Sequence, residues 1–155
     1  MENKVNKLFV VPVILMLILA GCSNNGASDS LNWKTDLNEA LTAAKKENKV
    51  VLVDFTGSDW CQWCKRLSDE VFSKSEFEDF ANKNLVLVKI DFPRNIEQSN
   101  SVKYYNQQLA DLYGIEGFPT IILLDKDGHG LLKTGYIQGG VENYIQQLKQ
   151  YMPHS

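Results

Sequence analysis

Residues Trp60–Lys65, with the sequence WCQWCK, hold two of the three cysteines of the chain, Cys61 and Cys64. This stretch follows the apolar run Val50–Phe55 and precedes a sequence with helical periodicity. A strand that delivers a C-x-x-C pair to the start of a helix indicates redox chemistry, because the helix N-terminus stabilises a thiolate. The pattern alone leaves two alternatives open, an inert structural disulfide and half of a metal site.

The composition of the chain narrows these alternatives. Its 155 residues suffice for one domain with a hydrophobic core, and 44% apolar and 23% charged residues are ordinary for a globular domain. The net charge of −3 comes without a cluster of lysine and arginine, which argues against nucleic acid as a partner. A zinc site needs four ligands, and only His129, His154 and carboxylates could complete one, so we expect no metal.

The N-terminal residues have the order of an export signal. Two lysines precede the uninterrupted apolar run 8–20, which is shorter than the roughly 20 residues of a membrane-spanning helix and fits the apolar core of a signal peptide. The run leads into Leu19–Cys22, with the sequence LAGC, which resembles a bacterial lipobox. The resemblance implies a signal peptide over residues 1–21 and a lipid on Cys22. An ordinary signal peptide with an incidental cysteine, or an uncleaved anchor, is the alternative.

A lipidated Cys22 has consequences for the location of the protein. We expect the bacterial cell envelope, with the membrane reached through the lipid anchor. By resemblance, Ser23 lacks the aspartate that often retains such proteins at the inner membrane, so a Gram-negative source would favour the outer membrane, facing the periplasm. Residues 22–32 are small and polar and predict a flexible tether, followed by a folded domain over residues 33–155.

Hydrophobic periodicity predicts the order of helices and strands in that domain. The predicted strands are 50–55, 85–90, 121–124 and about 129–134. The predicted helices begin near 36, 61, 102 and 141, and the helical pattern of the second restarts at Ser75. A strand, helix and strand in sequence imply a parallel pair, and the turn Asp125–Gly128 predicts a hairpin that adds an antiparallel strand. The fold class is therefore α/β, with a central mixed β-sheet flanked by helices on both faces.

Two motifs that lie far apart in the sequence resemble motifs of the same protein family. The C-x-x-C after the first strand and Gly117–Thr120, with the sequence GFPT, resemble the thioredoxin superfamily over about residues 33–152. The form of Phe55–Cys61 is similar to secreted thioredoxin-like proteins and to the periplasmic C-terminal domain of transmembrane electron-transfer reductases. The resemblance implies a thioredoxin fold, here with an extra N-terminal helix. The chain departs from the pattern in the dipeptide between the cysteines, Gln62-Trp63 instead of Gly-Pro, and in one extra residue before Cys61.

The two cysteines and one acid are expected to carry the reaction. Cys61 stands at the predicted helix start, which favours it as the nucleophile, and Cys64, one turn further and more buried, would resolve the intermediate. The resemblance implies that Asp54 is the buried acid that exchanges the proton of Cys64. An aspartate at the exposed end of the strand is the alternative for Asp54.

The remaining candidate residues would bind substrate. The resemblance implies that Pro119 is a cis-proline facing the cysteines, with backbone groups beside it that pair with a substrate peptide. Phe118 precedes it in the same motif. Trp60 and Trp63 are expected to give the site an apolar rim, and plain core packing is the alternative for each tryptophan.

These features predict a lipid-anchored thiol:disulfide oxidoreductase that exchanges disulfides with extracytoplasmic proteins and favours reduction or isomerisation. Its redox group is the Cys61–Cys64 pair, and we expect no separate cofactor. Its substrates would be protein thiols and disulfides, a reductase would need an electron-transfer partner in the membrane or periplasm, and a monomer is expected. The alternative, from another class, is a binding module that uses the same fold to hold a cell-envelope partner with little turnover.

Overall fold

The structure is a computed structural model that describes residues 31–153. The predicted signal peptide, the predicted lipidation site Cys22 and most of the predicted tether lie outside these residues. Leu31, which the sequence analysis assigns to the tether, is buried in a core cluster, so the packed region already includes the last part of that segment. Among the described helices, none combines the length and the apolar character needed to cross a bilayer.

The described chain alternates strands and helices in the predicted order. The elements are β1 Trp33–Lys34, α1 Leu37–Glu47, β2 Val50–Thr56, α2 Gln62–Leu67, a π-helical turn Ser68–Phe72, α3 Ser75–Asn84, β3 Leu85–Asp91, α4 Asn100–Leu112, β4 Thr120–Leu124, β5 Gly130–Thr134 and α5 Gly140–Tyr151. The four predicted strands and four predicted helices are confirmed, and the restart of the pattern at Ser75 corresponds to a separate helix, α3. The two-residue strand β1 and the π-helical turn were not predicted, because neither is long enough to carry a periodic pattern.

The strands form one mixed sheet in the order β1-β3-β2-β4-β5. Strand β2 pairs in parallel with β3 and antiparallel with β4, and β5 pairs antiparallel with β4 across the predicted hairpin. Gly128 closes this hairpin with a φ of +91°, a conformation that glycine adopts without steric cost. The predicted fold class, an α/β thioredoxin fold with a central mixed sheet, is confirmed.

Strand β2 lies at the centre of the sheet and is buried along its whole length. Its side chains alternate between the two faces. Val51, Val53 and Phe55 pack in the core cluster that α1 and α4 cover, whereas Leu52 packs on the side of α2, α3 and α5. Asp54 shares the face of Leu52, and it is therefore an acid placed beneath the helix that carries Cys64.

Candidate active site

The two cysteines form a disulfide at the start of α2. Cys61 is the N-cap residue with an extended backbone, and Cys64 lies in the first turn. The sulfurs are bonded, with 5.3 Å between the Cα atoms, and the backbone N–H of Cys64 donates to the Cys61 Sγ at 3.2 Å. This N–H and the helix dipole would stabilise a negative charge on the Cys61 sulfur.

The two cysteines are almost equally buried, contrary to expectation. Cys61 is 6% exposed and Cys64 is 7% exposed, so the prediction that Cys64 is the more buried residue is wrong. Both residues lie within the first turn of α2, Cys61 as its N-cap. A different feature singles out Cys64, since it lines a partly open pocket together with Asp54.

A tight turn holds the loop between β2 and the cysteines. The backbone N–H of Cys61 donates to the Gly57 carbonyl at 2.8 Å, and Ser58 donates its N–H and its hydroxyl to the Asp91 carboxylate at 2.9 Å and 2.6 Å. A Cβ atom at Gly57 would lie 2.5 Å from the Trp60 ring, so only glycine fits here without displacing that ring. This loop contains the extra residue by which the chain departs from the thioredoxin pattern.

Asp59 connects this loop to the segment that follows β3. Its carboxylate accepts the backbone N–H groups of Arg94 at 3.0 Å and of Asn95 at 2.6 Å. The hydrogen bond from Arg94 is the main reason that the pKa of Asp59 lies below its ordinary value. Lys65 donates to the carbonyl of Asp59 at 2.9 Å, so its ammonium is engaged with the backbone of this turn.

Trp60 is half-buried in an aromatic cluster beside Cys61. Its indole N–H donates to the Phe92 carbonyl at 2.8 Å, and its ring meets Phe118 edge-on at a centroid distance of 5.9 Å. The Arg94 guanidinium lies 3.8 Å from the centroid of the Trp60 ring. Trp60 and Phe118 therefore combine packing with partial exposure, and their contact with substrate stays a prediction.

Pro119 directly precedes β4, the strand that lies next to β2 in the sheet. The Phe118–Pro119 peptide bond is cis, as the resemblance implied. Thr120 follows at the start of β4 and pairs with Phe55, the residue of β2 from which the chain turns towards Cys61. The backbone of Gly135 approaches from the other side, because a Cβ atom there would lie 2.9 Å from the Pro119 carbonyl oxygen.

Asp54 is 5% exposed and lies in the middle of the strand register, paired with Lys89 of β3 and Ile121 of β4. This position rules out an aspartate at the exposed end of the strand. Within residues 31–153, its Oδ1 is the one buried side-chain oxygen or nitrogen without a hydrogen-bond partner. Asp54 lines a cavity of about 260 Å³ together with Cys64, Thr56 and Lys89, and a polar cavity of this size has room for water.

The environment of Asp54 favours its neutral form. Burial raises the pKa of Asp54 from 3.8 to about 7, against the opposing attraction of the Lys89 ammonium. An acid with this pKa can accept a proton and return it near neutral pH. Lys89 was not predicted as a site residue, although a single charge within the apolar run 85–90 was a signal for it.

Trp63, the second residue between the cysteines, is 52% exposed. Its ring lies against Tyr136, with 5.2 Å between the ring centroids. Tyr136 follows β5 and was not predicted as a site residue, because no pattern in the sequence points from position 136 to the cysteines. Among residues 31–153, no group of three or more His, Cys, Asp and Glu side chains is arranged to hold a metal ion.

Comparison with protein families gives one match that covers most of the chain. A family model described as a thioredoxin-like domain matches residues 37–151. The chain is 36% identical over 123 residues to the disulfide bond reductase DsbH of Chlamydia pneumoniae, an alignment that covers 79% of this chain and 74% of that protein. It is 29% identical over 137 residues to the thiol:disulfide interchange protein DsbD of Actinobacillus pleuropneumoniae, covering 83% of this chain and 21% of that protein.

Solved structures give the same result at the level of the fold. The DsbH oxidoreductase superimposes with a TM-score of 0.74 at 35% identity, over 81% of this chain and 86% of that one. The oxidised C-terminal domain of DsbD from Neisseria meningitidis superimposes with a TM-score of 0.58, over 78% of this chain and 100% of that one. The second pair shares 21% identity, so it shows the common fold alone.

Proposed function

The chain belongs to the family of thioredoxin-like domains and carries a redox cysteine pair, and from this premise we propose that it reduces or isomerises disulfides of extracytoplasmic proteins while held to a membrane by lipid. The observation that carries the proposal is the position of the disulfide. It stands at a helix start, and one of its cysteines lines a cavity with a buried acid. The helix start favours a thiolate at Cys61, and the buried acid can take the proton of Cys64.

The reaction begins from the dithiol form. The Cys61 thiolate attacks one sulfur of the substrate disulfide, so a bond forms between Cys61 and that sulfur while the substrate S–S bond breaks. The electron pair leaves with the other substrate sulfur, which becomes a thiolate. The N–H of Cys64 and the helix start stabilise the attacking sulfur.

The second step releases the substrate. Cys64 loses its proton to Asp54, directly or through water in the shared cavity. The resulting thiolate attacks the Cys61 Sγ, forms the Cys61–Cys64 disulfide and expels the second substrate thiolate. The substrate has gained two electrons and the protein has lost two, so a dithiol donor must reduce the pair before the next turnover.

Substrate contacts would come from the residues around the pair. Backbone groups near Pro119 and the exposed parts of Trp60, Trp63 and Phe118 would hold an extended polypeptide beside Cys61. The similarity to DsbH, named a disulfide bond reductase, supports the direction of reduction. An electron-transfer partner in the membrane or periplasm would supply the dithiol, as the sequence analysis expected.

Insulin reduction in the presence of dithiothreitol tests the proposed function. We expect the wild type to accelerate precipitation of the freed B chain. In Cys61→Ser the catalysed rate should be at least about 100-fold lower, because the attacking thiolate is gone. Cys22→Ser is the matched control, since it removes a cysteine outside the domain and should keep the catalysis. Equal rates for the wild type and Cys61→Ser would contradict the proposal and favour the binding module.

Radioactive palmitate labelling tests the proposed anchor. Cells that express the full chain should incorporate label into the protein, and Cys22→Ser should lose it because no other residue of the LAGC sequence accepts the lipid. Cys64→Ser serves as the cysteine control and should stay labelled. Absence of label in the wild type, or label that survives in Cys22→Ser, would refute the lipid anchor.

A further inference from the structure

Trp33, in the two-residue strand β1, lines the partly open pocket that contains Cys64 and Asp54. It precedes residues 37–151, the part of the chain that the family model matches. Pairing with Leu87 attaches Trp33 to the edge of β3, and its side chain is half-buried. A half-buried ring in the wall of an open pocket lies between the solvent and the groups inside.

The strand order places Trp33, Lys89 and Asp54 in one row across the sheet. Strands β1, β3 and β2 are neighbours in that order, and Lys89 of β3 pairs with Asp54 of β2. Lys89 follows Leu87, the partner of Trp33, by two residues, and residues two apart in a strand point to the same face. The Lys89 side chain therefore lies between the indole ring and the buried acid.

Contacts on both sides fix the Trp33 ring in this position. The Lys89 Nζ lies 5.0 Å from the centroid of the ring, a distance at which an aromatic ring attracts a cation. Phe72, a buried residue that also lines the pocket, meets the ring edge-on with 5.3 Å between the centroids. The backbone N–H of Trp33 donates to the carbonyl of Leu31, which is buried in the core. The ring is thus anchored to the domain and attracts the Lys89 ammonium.

The charged and titratable groups around Asp54 come from four elements. They are Cys64 and Lys65 of α2, Asp69 of the π-helical turn, Lys89 and Asp91 of β3, and Tyr144 of α5. Burial is the main reason that the pKa of Asp54 is raised, and the Lys89 ammonium opposes this effect. Water that reached the carboxyl group would weaken the effect of burial. The cover over the pocket therefore influences how readily Asp54 keeps a proton.

We infer that Trp33 is a positioning residue for disulfide exchange, which covers the solvent side of the pocket and holds the Lys89 ammonium near Asp54, so that the acid can exchange a proton with Cys64. The inference rests on the proposed function for its catalytic part. Its structural part, the control of Asp54 by Trp33, is independent of any substrate. The residue acts through its neighbours and forms no bond with the reacting sulfurs.

Titration of Asp54 in the oxidised protein, by carbon NMR of the labelled carboxyl group, tests the structural part. Asp54→Asn identifies the signal. We expect a midpoint of about 7 in the wild type and a midpoint at least about one pH unit lower in Trp33→Ala, because water then reaches the carboxyl group. Trp33→Phe keeps an aromatic ring in the wall and should stay close to the wild type. A midpoint in Trp33→Ala that is equal to that of the wild type, or higher, would overturn the inference.

Two further variants separate this role from a general loss of packing. Phe80→Leu changes a ring of the same core cluster that is not part of the pocket wall, and it should leave the midpoint unchanged. Lys89→Met removes the ammonium and should raise the midpoint, because the opposing attraction is lost. A shift in Phe80→Leu as large as in Trp33→Ala, or no rise in Lys89→Met, would contradict the inference. Circular dichroism checks that each variant is folded.

The pH profile of insulin reduction connects Trp33 to the reaction. Removal of the Cys64 proton needs an ionised Asp54, so turnover should rise with pH through the midpoint of this acid. In Trp33→Ala the rise should shift to lower pH by about as much as the NMR midpoint, whereas Trp33→Phe should keep the profile of the wild type. A profile that stays in place while the midpoint shifts would contradict the positioning role. A folded wild type that reduces no insulin would overturn the proposed function, and the NMR titration would still decide whether Trp33 controls Asp54.

Discussion

Replacing Cys64 by serine is expected to turn the transient mixed disulfide into a stable covalent complex with the substrate. Cys61 keeps its place at the helix start, where the N–H of residue 64 still faces its sulfur, so attack on the substrate continues. The second thiolate is missing, and the intermediate cannot be resolved. Turnover should fall by at least about 1,000-fold, while non-reducing mass spectrometry shows one substrate chain bound per protein.

Cys61→Ser is the matched variant for this experiment. Its remaining thiol, Cys64, lies inside α2 and not at the helix start, and we expect at least about tenfold less covalent complex than with Cys64→Ser. Equal trapping by the two variants would contradict the assignment of Cys61 as the nucleophile. Stronger trapping by Cys61→Ser would exchange the roles of the two cysteines.

Replacing Asp54 by asparagine is expected to stabilise the oxidised protein at alkaline pH. The pKa of Asp54 is raised from 3.8 to about 7 by burial, so between these values the folded state binds a proton that the unfolded state has lost. The free energy of unfolding of the wild type therefore falls as pH rises through this window. The full cost above pH 7 is at most about 4 kcal/mol, at 1.36 kcal/mol for each pKa unit.

Urea unfolding at pH 5 and pH 8.5 measures this effect. Asp54→Asn should gain stability relative to the wild type between the two pH values, because its amide carries no charge at either. Asp79→Asn, a change on the exposed side of α3, is the control and should follow the wild type. A curve for Asp54→Asn that stays parallel to the wild type would contradict the account of this buried acid.

The same substitution tests the catalytic role of Asp54. Without a group to take the proton of Cys64, we expect turnover near pH 7 to slow by at least about tenfold, while circular dichroism remains that of the wild type. Unchanged turnover would remove Asp54 from the mechanism and leave it only a destabilising role.

The central strands were predictable because burial on both faces forces a nearly continuous apolar run. Strand β2 shows such a run with a single acid, Asp54, whose role was predicted from the resemblance. Strand β1 was missed for the opposite reason. Its two residues carry no period, and it forms because Trp33 and Lys34 pair with β3.

The candidate site was predictable where its residues are close in sequence or belong to a recognisable motif. Cys61 and Cys64 stand in one turn, and Pro119 was found through the motif that precedes β4. Lys89 and Tyr136 reach the site through tertiary structure. Strand pairing places Lys89 opposite Asp54, and the loop after β5 brings Tyr136 to Trp63 across 73 positions of sequence, a relation that a single sequence does not record.

The reduction potential of the Cys61–Cys64 pair tests the proposed reductase most directly. The oxidised protein is equilibrated with dithiothreitol or glutathione redox buffers, and the fraction of disulfide is measured by alkylation and mass spectrometry. We predict a potential near that of thioredoxin, about −270 mV, at which the dithiol readily donates electrons to substrate disulfides. A value near that of the oxidant DsbA, about −120 mV, would contradict the account, because such a pair accepts electrons from substrate thiols instead.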